Sequence, residues 1–138
     1  MSALLLDTHV WLWYAEGVAR RLKPSVVNQI EDALLTNRLH VSAVSVWEIG
    51  LLVAKNRITL SAPVKDWVQH AATIPGLRLS PLDWQSALES TVLPGMPHAD
   101  PADRLLVATA RISGYTLVTR DQKILDYGKA GHINVLAA

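Results

Sequence analysis

No cysteine occurs among the 138 residues, which excludes disulfides and thiolate metal sites and makes a reducing cytoplasm the expected location. No apolar run approaches the ~20 residues that span a bilayer, so no membrane association is expected. The N-terminus lacks a basic stretch leading into an apolar core and a small-residue cleavage site, and no secretory signal is expected. An excess of one charge is missing as well: 13 Lys and Arg face 12 Asp and Glu, and the net +1 does not announce a nucleic-acid binder. Local basic residues (Arg20, Arg21, Lys23, Lys55, Arg57) have the chemistry to meet a phosphate backbone, and equally that of an ordinary solvated face. Repeats, low-complexity tracts and interdomain linkers are absent too. With 50% hydrophobic and only 18% charged residues the chain is not disordered, and residues 1–138 are expected to form one domain.

What is present is an alternation of strand-like and helix-like segments. Residues 3–6 read as a short buried strand ending in Asp7-Thr8, the chemistry of a helix start. Val10, Trp13 and Tyr14 then recur at helical spacing up to Gly17, and Pro24 opens a second helix carrying Val26, Val27, Ile30, Ala33 and Leu34. A strand over 39–42 leads into a helix that runs to Asn56-Arg57. Pro63 opens a further helix to about Thr73, closed by Pro75-Gly76, and 78–80 is a weak third strand. Leu82-Asp83 precedes a helix to about Thr91, and the proline-rich stretch 93–101 is loop. A helix over 101–113 stops at Gly114, a strand covers 116–119, and a short helix around 122–127 and a strand near 133–136 finish the chain. This order predicts an α/β fold with a mostly parallel sheet of four or five strands covered on both faces. Such sheets bind ligands beyond the carboxyl ends of their strands, where Asp7 and Asp121 fall.

Four regions carry acids that this fold would gather: Asp7, Glu48, the pair Asp100/Asp103, and Asp121. Each has a structural alternative. Asp7, Asp100 and Asp121 are good helix N-caps, and Asp100-Pro101 with Asp103 in the first turn makes a favourable helix opening. Glu48 resists such an explanation, because Trp47, Ile49, Leu51 and Leu52 leave it little solvated face, although a salt bridge to Lys55 is conceivable. Carboxylates ~4 Å apart repel by about 4 kcal/mol at an effective dielectric near 20, so a cluster of them calls for a cation or for protons. Mg²⁺ suits such a set, since it takes a few carboxylates and shares its other positions between water and phosphate oxygens. Metal-dependent phosphodiester chemistry is therefore the leading reading. His9 and His98 have the chemistry to contact a phosphate, with surface or packing roles as the alternative. Arg104 and Arg120 adjoin acids and can either pair with them or bind phosphate. Thr8, Ser45 and Thr119 can orient a carboxylate or a metal-bound water, or serve as caps. Trp11, Trp13, Trp47, Trp67 and Trp84 read as core or interface residues, none of them singled out as a base-stacking platform.

The run Leu4-Leu5-Leu6-Asp7-Thr8-His9-Val10-Trp11 resembles the opening of bacterial PIN-domain proteins of the VapC-like ribonuclease toxin type. Residues 42–49 resemble the family's second acidic segment, His98 to Ala108 the third, and Leu117-Val118-Thr119-Arg120-Asp121 the fourth, all in the family's order. The resemblance implies a three-layer α/β/α sandwich and Mg²⁺-dependent endonucleolytic cleavage of RNA, with Mn²⁺ able to substitute. It carries over Asp7, Glu48, Asp103 and Asp121 as the catalytic, metal-binding quartet. Asp103 directly precedes the Leu-Leu-Val-Ala helix, as the third acid does in the family, and Asp100 is kept as an auxiliary ligand or cap. A metal-activated water would leave a 5′-phosphate and a 3′-hydroxyl. The resemblance further implies a homodimer and a small antitoxin protein that blocks the acidic pocket. Two rival readings are a non-catalytic PIN-like module that binds RNA or protein, and an aspartyl-phosphate phosphatase with Asp7 as nucleophile. The second is weakened because His9 stands where a second acid is usual, and no lysine follows in the expected context.

Overall fold

The structure is a computed structural model that describes residues 2–97 and 100–138. Its centre is a five-stranded sheet in the order β3-β2-β1-β4-β5, with every pairing parallel. The strands are β1 (Leu4–Leu6), β2 (Leu39–Ser42), β3 (Leu77–Ser80), β4 (Thr116–Thr119) and β5 (Asn134–Ala137). The chain runs outward from β1 through β2 to β3, then returns to lay β4 on the other side of β1. The switch of direction therefore lies between β1 and β4, where Leu6 pairs with Val118. β1 is buried on both faces, as its unbroken apolar run requires of a central parallel strand.

Side-chain alternation along the strands divides the core. Leu4, Leu6 and Val118 face one layer, built from helices α1 (Thr8–Ala15), α2 (Pro24–Leu35) and α4 (Val64–Ala71). Leu5 and Leu117 face the other, built mainly from α6 (Pro101–Ser113) and α7 (Gln122–Lys129). Val26, Ile30 and Ala33 of α2 recur at intervals of three and four and are all buried, so one stripe of that helix meets the sheet. Helix α3 (Ala43–Ala54) sends Ile49 into the first layer, while its Val44 meets Ala102 and Leu106 of α6. Helix α5 (Trp84–Glu89) and the 3₁₀ turn Ala19–Arg21 complete the chain's elements among the described residues. The result is the α/β/α sandwich expected from the sequence, with five strands.

The differences lie at element ends. Pro63 caps α4 from outside and the helix stops at Ala71, short of Thr73. Helix α7 runs on to Lys129, because Gly128 sits under Val135 and allows the last turn to approach β5 closely. Gly114 ends α6 in the left-handed conformation, as a glycine stop does.

Candidate active site

In a parallel sheet each strand hands the chain to a helix at the same edge, so helix N-termini gather there. Three of the predicted acids are helix caps at that edge, two of them on helices that directly follow a strand and the third on α6, which follows the loop after α5. Asp7 caps α1, Asp100 caps α6 and Asp121 caps α7. The cap explanation and the site explanation are thus compatible: the caps all face one pocket. That pocket, about 300 Å³, is lined by Asp7, Glu48, Asp100, Asp103 and Asp121, with His9, Trp13 and Arg120 on its wall. Every acid predicted for the site lies in it.

Asp7 is the most enclosed, with 8% of its surface exposed. Its Oδ1 accepts from the Thr8 amide at 2.7 Å and its Oδ2 accepts from the Thr119 hydroxyl at 2.6 Å. Thr119 Oγ1 in turn accepts from the Asp121 amide at 3.0 Å, which ties the ends of β1 and β4 together. Burial pushes the Asp7 carboxyl above its usual range, and nearby Asp121 adds to that, against the opposing pull of the Thr119 and Thr8 hydrogen bonds and His9. Glu48 reaches the same place from α3, whose start is fixed by Ser42 capping the Val44 amide at 3.0 Å. Thr8 Oγ1 donates to Glu48 Oε1 at 2.5 Å and lies 2.9 Å from Ser45 Oγ, so a hydroxyl pair holds the glutamate. Glu48 is also raised, first by burial and then by the charges of Asp7 and Asp100, with the Thr8 bond and His9 acting in the other direction.

At the opening of α6, Asp100 Oδ1 accepts from the amides of Ala102 at 2.9 Å and Asp103 at 3.3 Å. Asp103, in the first turn of that helix, is half-buried at the pocket wall. Asp121 Oδ1 accepts from the Ile124 amide at 3.2 Å. Arg104 donates to the Ser90 and Met96 carbonyls at 2.8 and 3.5 Å, pinning the loop that leads to α6. Of the predicted histidines, His9 is exposed beside the pocket, and His98 lies outside the described residues.

Two further side chains line the pocket, Trp13 and Arg120, the latter already a phosphate-binding candidate in the sequence. Trp13 packs against the core, as expected, and also lines the pocket four residues after His9 on the same face of α1. The Arg120 guanidinium lies over the Trp13 ring, 5.3 Å from its centroid, and donates to the Arg21 carbonyl at 2.9 Å. The i, i+4 spacing of His9 and Trp13 directly after Asp7 is the signal that was available.

The donor set consists of carboxylate oxygens, the hard ligands that Mg²⁺ and Mn²⁺ prefer, and two of them carry raised pKa values that a cation would reverse. Among the described residues no three carboxylate or imidazole groups close tightly enough to enclose an ion by themselves. The arrangement is a ring around an open pocket, which suits an ion held by one or two carboxylates and otherwise by water.

The model of the PIN domain family matches residues 4–130. Ribonuclease VapC22 of Mycobacterium tuberculosis is 36% identical over 124 residues, covering 90% of this chain and 91% of that protein. Two solved structures share the fold. A chain of VapBC2 from Rickettsia felis, crystallised with a DNA fragment from its promoter, superposes with a TM-score of 0.71 at 14% identity, covering 97% of both chains. A chain of FitAcB from Neisseria gonorrhoeae gives 0.66 at 22% identity, covering 97% of this chain and 96% of its own. The acidic pocket at the switch point, the order of the strands and these similarities agree: the chain belongs to the PIN-domain family, among its VapC-like members.

Proposed function

We propose that residues 1–138 form one Mg²⁺-dependent endoribonuclease domain that acts as the toxin of a toxin–antitoxin pair. The observation that carries this reading is the ring of five carboxylates, drawn from four separate segments, around a single pocket at the carboxyl edge of the sheet. The similarity to a protein named as a ribonuclease supports the choice of RNA. Asp7 and Asp103 are the proposed principal metal ligands, Glu48 and Asp121 complete the charge cage, and Asp100 is auxiliary while it caps α6. When bound, the ion supplies an activated water at neutral pH and charge stabilisation at the phosphate, and Mn²⁺ is expected to substitute.

The chain's own residues perform the rest. Thr119 and Thr8 fix the two Asp7 oxygens through O–H and N–H donors, so the carboxylate needs no reorganisation when charge develops nearby. Thr8 and Ser45 hold Glu48 facing the pocket. The N-termini of α1, α6 and α7 place their positive dipole ends beside Asp7, Asp100 and Asp121, which offsets part of the repulsion among the acids. Hydrolysis would leave a 5′-phosphate and a 3′-hydroxyl.

A small antitoxin protein and a second copy of the chain are the proposed partners, the former supported by structural relatives solved as VapBC complexes. Among the described residues no helix is long and apolar enough to cross a membrane. The test is cleavage of total cellular RNA with Mg²⁺, after chelation, and by Asp7→Asn, with the new ends mapped. Cleavage confined to the metal-loaded unmodified protein is expected. Cleavage that persists after chelation and in the variant would overturn the proposal.

A further inference from the structure

An acidic pocket by itself repels RNA, and at physiological ionic strength charges are screened beyond about 8 Å. Cations that bring a phosphate backbone over these carboxylates must therefore adjoin them. The pocket shares Glu48 and Asp100 with a second cavity of about 240 Å³, whose far wall carries Trp47, Lys55 and Arg57. The two cavities adjoin, and together they make a groove with the acids in the middle. At the opposite end Arg120 and Arg21 lie over the Trp13 ring, 5.3 and 5.6 Å from its centroid, with the His9 ring 5.9 Å from the same ring. Arg21, Arg120, Lys55, Arg57 and His9 are exposed, and Trp47 has 58% of its surface in solvent. Each end of the groove thus pairs cations with an aromatic ring. A guanidinium stacked on an aromatic face keeps its in-plane N–H groups for a phosphate. An aromatic ring beside such cations is the pairing that holds an unpaired nucleotide by stacking and charge.

We infer that an unpaired RNA strand crosses the acids along this groove, held by Arg21 and Arg120 with His9 and Trp13 on one side of the cleaved bond, and by Lys55, Arg57 and Trp47 on the other. The inference rests on the nuclease reading and extends it to the side chains that hold the strand on either side of the acids. A duplex keeps its base faces stacked inside the helix and cannot offer them to either platform.

The test uses the full chain and a short fluorescein-labelled single-stranded RNA, with anisotropy measured in EDTA across a salt series so that binding is read without cleavage. Arg120→Ala and Arg57→Ala, at opposite ends, should each weaken binding and lower the slope of log affinity against log salt by about 0.7, the value for one lost phosphate contact on a single strand. Trp47→Ala and His9→Ala should weaken it about fivefold or more with little change in slope, as lost stacking does. Duplex RNA of the same sequence should bind more weakly. In Mg²⁺ cleavage assays the Arg120→Ala and Arg57→Ala losses should fall on KM more than on kcat. Unchanged affinity and slope in these variants of a protein that cleaves RNA would overturn the groove and leave the nuclease reading standing. Loss of self-association or of binding to an acidic protein segment, with RNA affinity intact, would also overturn it. Variant-sensitive binding by a chain that never cleaves RNA would support the groove and remove the nuclease reading.

Discussion

Asp7 carries the most information of any residue, because its burial sets two quantities against each other. Its carboxyl is raised by desolvation, so in the metal-free protein folding favours its protonation relative to the unfolded chain. A group whose folded pKa lies above its unfolded value contributes stability that is complete below the unfolded pKa and is lost as pH rises through the folded pKa. For Asp7 and Glu48 that loss begins above their ordinary values of 3.8 and 4.5. Metal-free protein should therefore lose stability as pH climbs from that range toward neutrality, and added Mn²⁺ should restore it, which melts across pH with and without the ion would read. Asp7→Asn removes the charge, keeps one acceptor for the Thr8 amide, and replaces the other oxygen by an NH₂ that can donate to Thr119 Oγ1 once that hydroxyl turns. It should raise the metal-free stability at neutral pH by about 1 kcal/mol, the common return from relieving a strained functional position, and lower cleavage by at least ~100-fold. Equal or lower melting for the variant would show that burial of this charge is not a cost. Thr119→Val makes the converse point. Asp7 Oδ2 then loses its 2.6 Å donor inside the protein, and the variant should lose about 1–3 kcal/mol in denaturant titration.

Elements that follow local rules were legible before the structure. β2 matches its expected bounds of 39–42 because an apolar run ends at Ser42, a capping residue, and α6 matches because Pro101 and Gly114 punctuate it. Helix ends set by tertiary contact were not. Gly128 tolerates the approach of Val135 only once β5 has docked, and nothing local in residues 122–129 announces that. The turn before β3 shows the same dependence. Gly76 has φ +91°, and a Cβ there would run into the Leu34 carbonyl at the end of α2. Gly76→Ala should cost more than about 2 kcal/mol by thermal or chemical unfolding, since backbone strain and an immovable backbone contact add. A loss within ~0.5 kcal/mol would mean that the turn can rearrange, and that α2 and β3 are less firmly joined than they look.

For the whole molecule, the decisive property is that one edge of a parallel sheet collects the starts of several helices. Sequence order placed Asp7 and Asp121 at that edge, because each directly follows a strand. The position of Glu48 was legible only as an anomaly, a charge among apolar neighbours, since its partner Thr8 stands forty residues earlier. Arg21, Lys55, Arg57 and Arg120 were legible as phosphate-binding candidates, but their placement around the acids was not, because all except Arg120 reach them through the fold rather than through local sequence. Whether Asp7, Asp100 and Asp121 were caps or site residues was undecidable in the sequence for a physical reason: in this topology a cap on the carboxyl edge is already at the site. Binding of a divalent ion should stabilise the fold as mass action requires, by about 2.7 kcal/mol at a hundred times its Kd, with chelation reversing it. The most direct test of the shared carboxylate pocket is calorimetric titration of Mn²⁺ into the protein at mildly acidic pH, in buffers of different ionisation enthalpy. Saturable uptake with proton release is expected for the unmodified chain, with uptake sharply weakened in Asp7→Asn and in Asp103→Asn. Identical uptake in all three proteins, or none in any, would contradict a common metal site built from these distant residues.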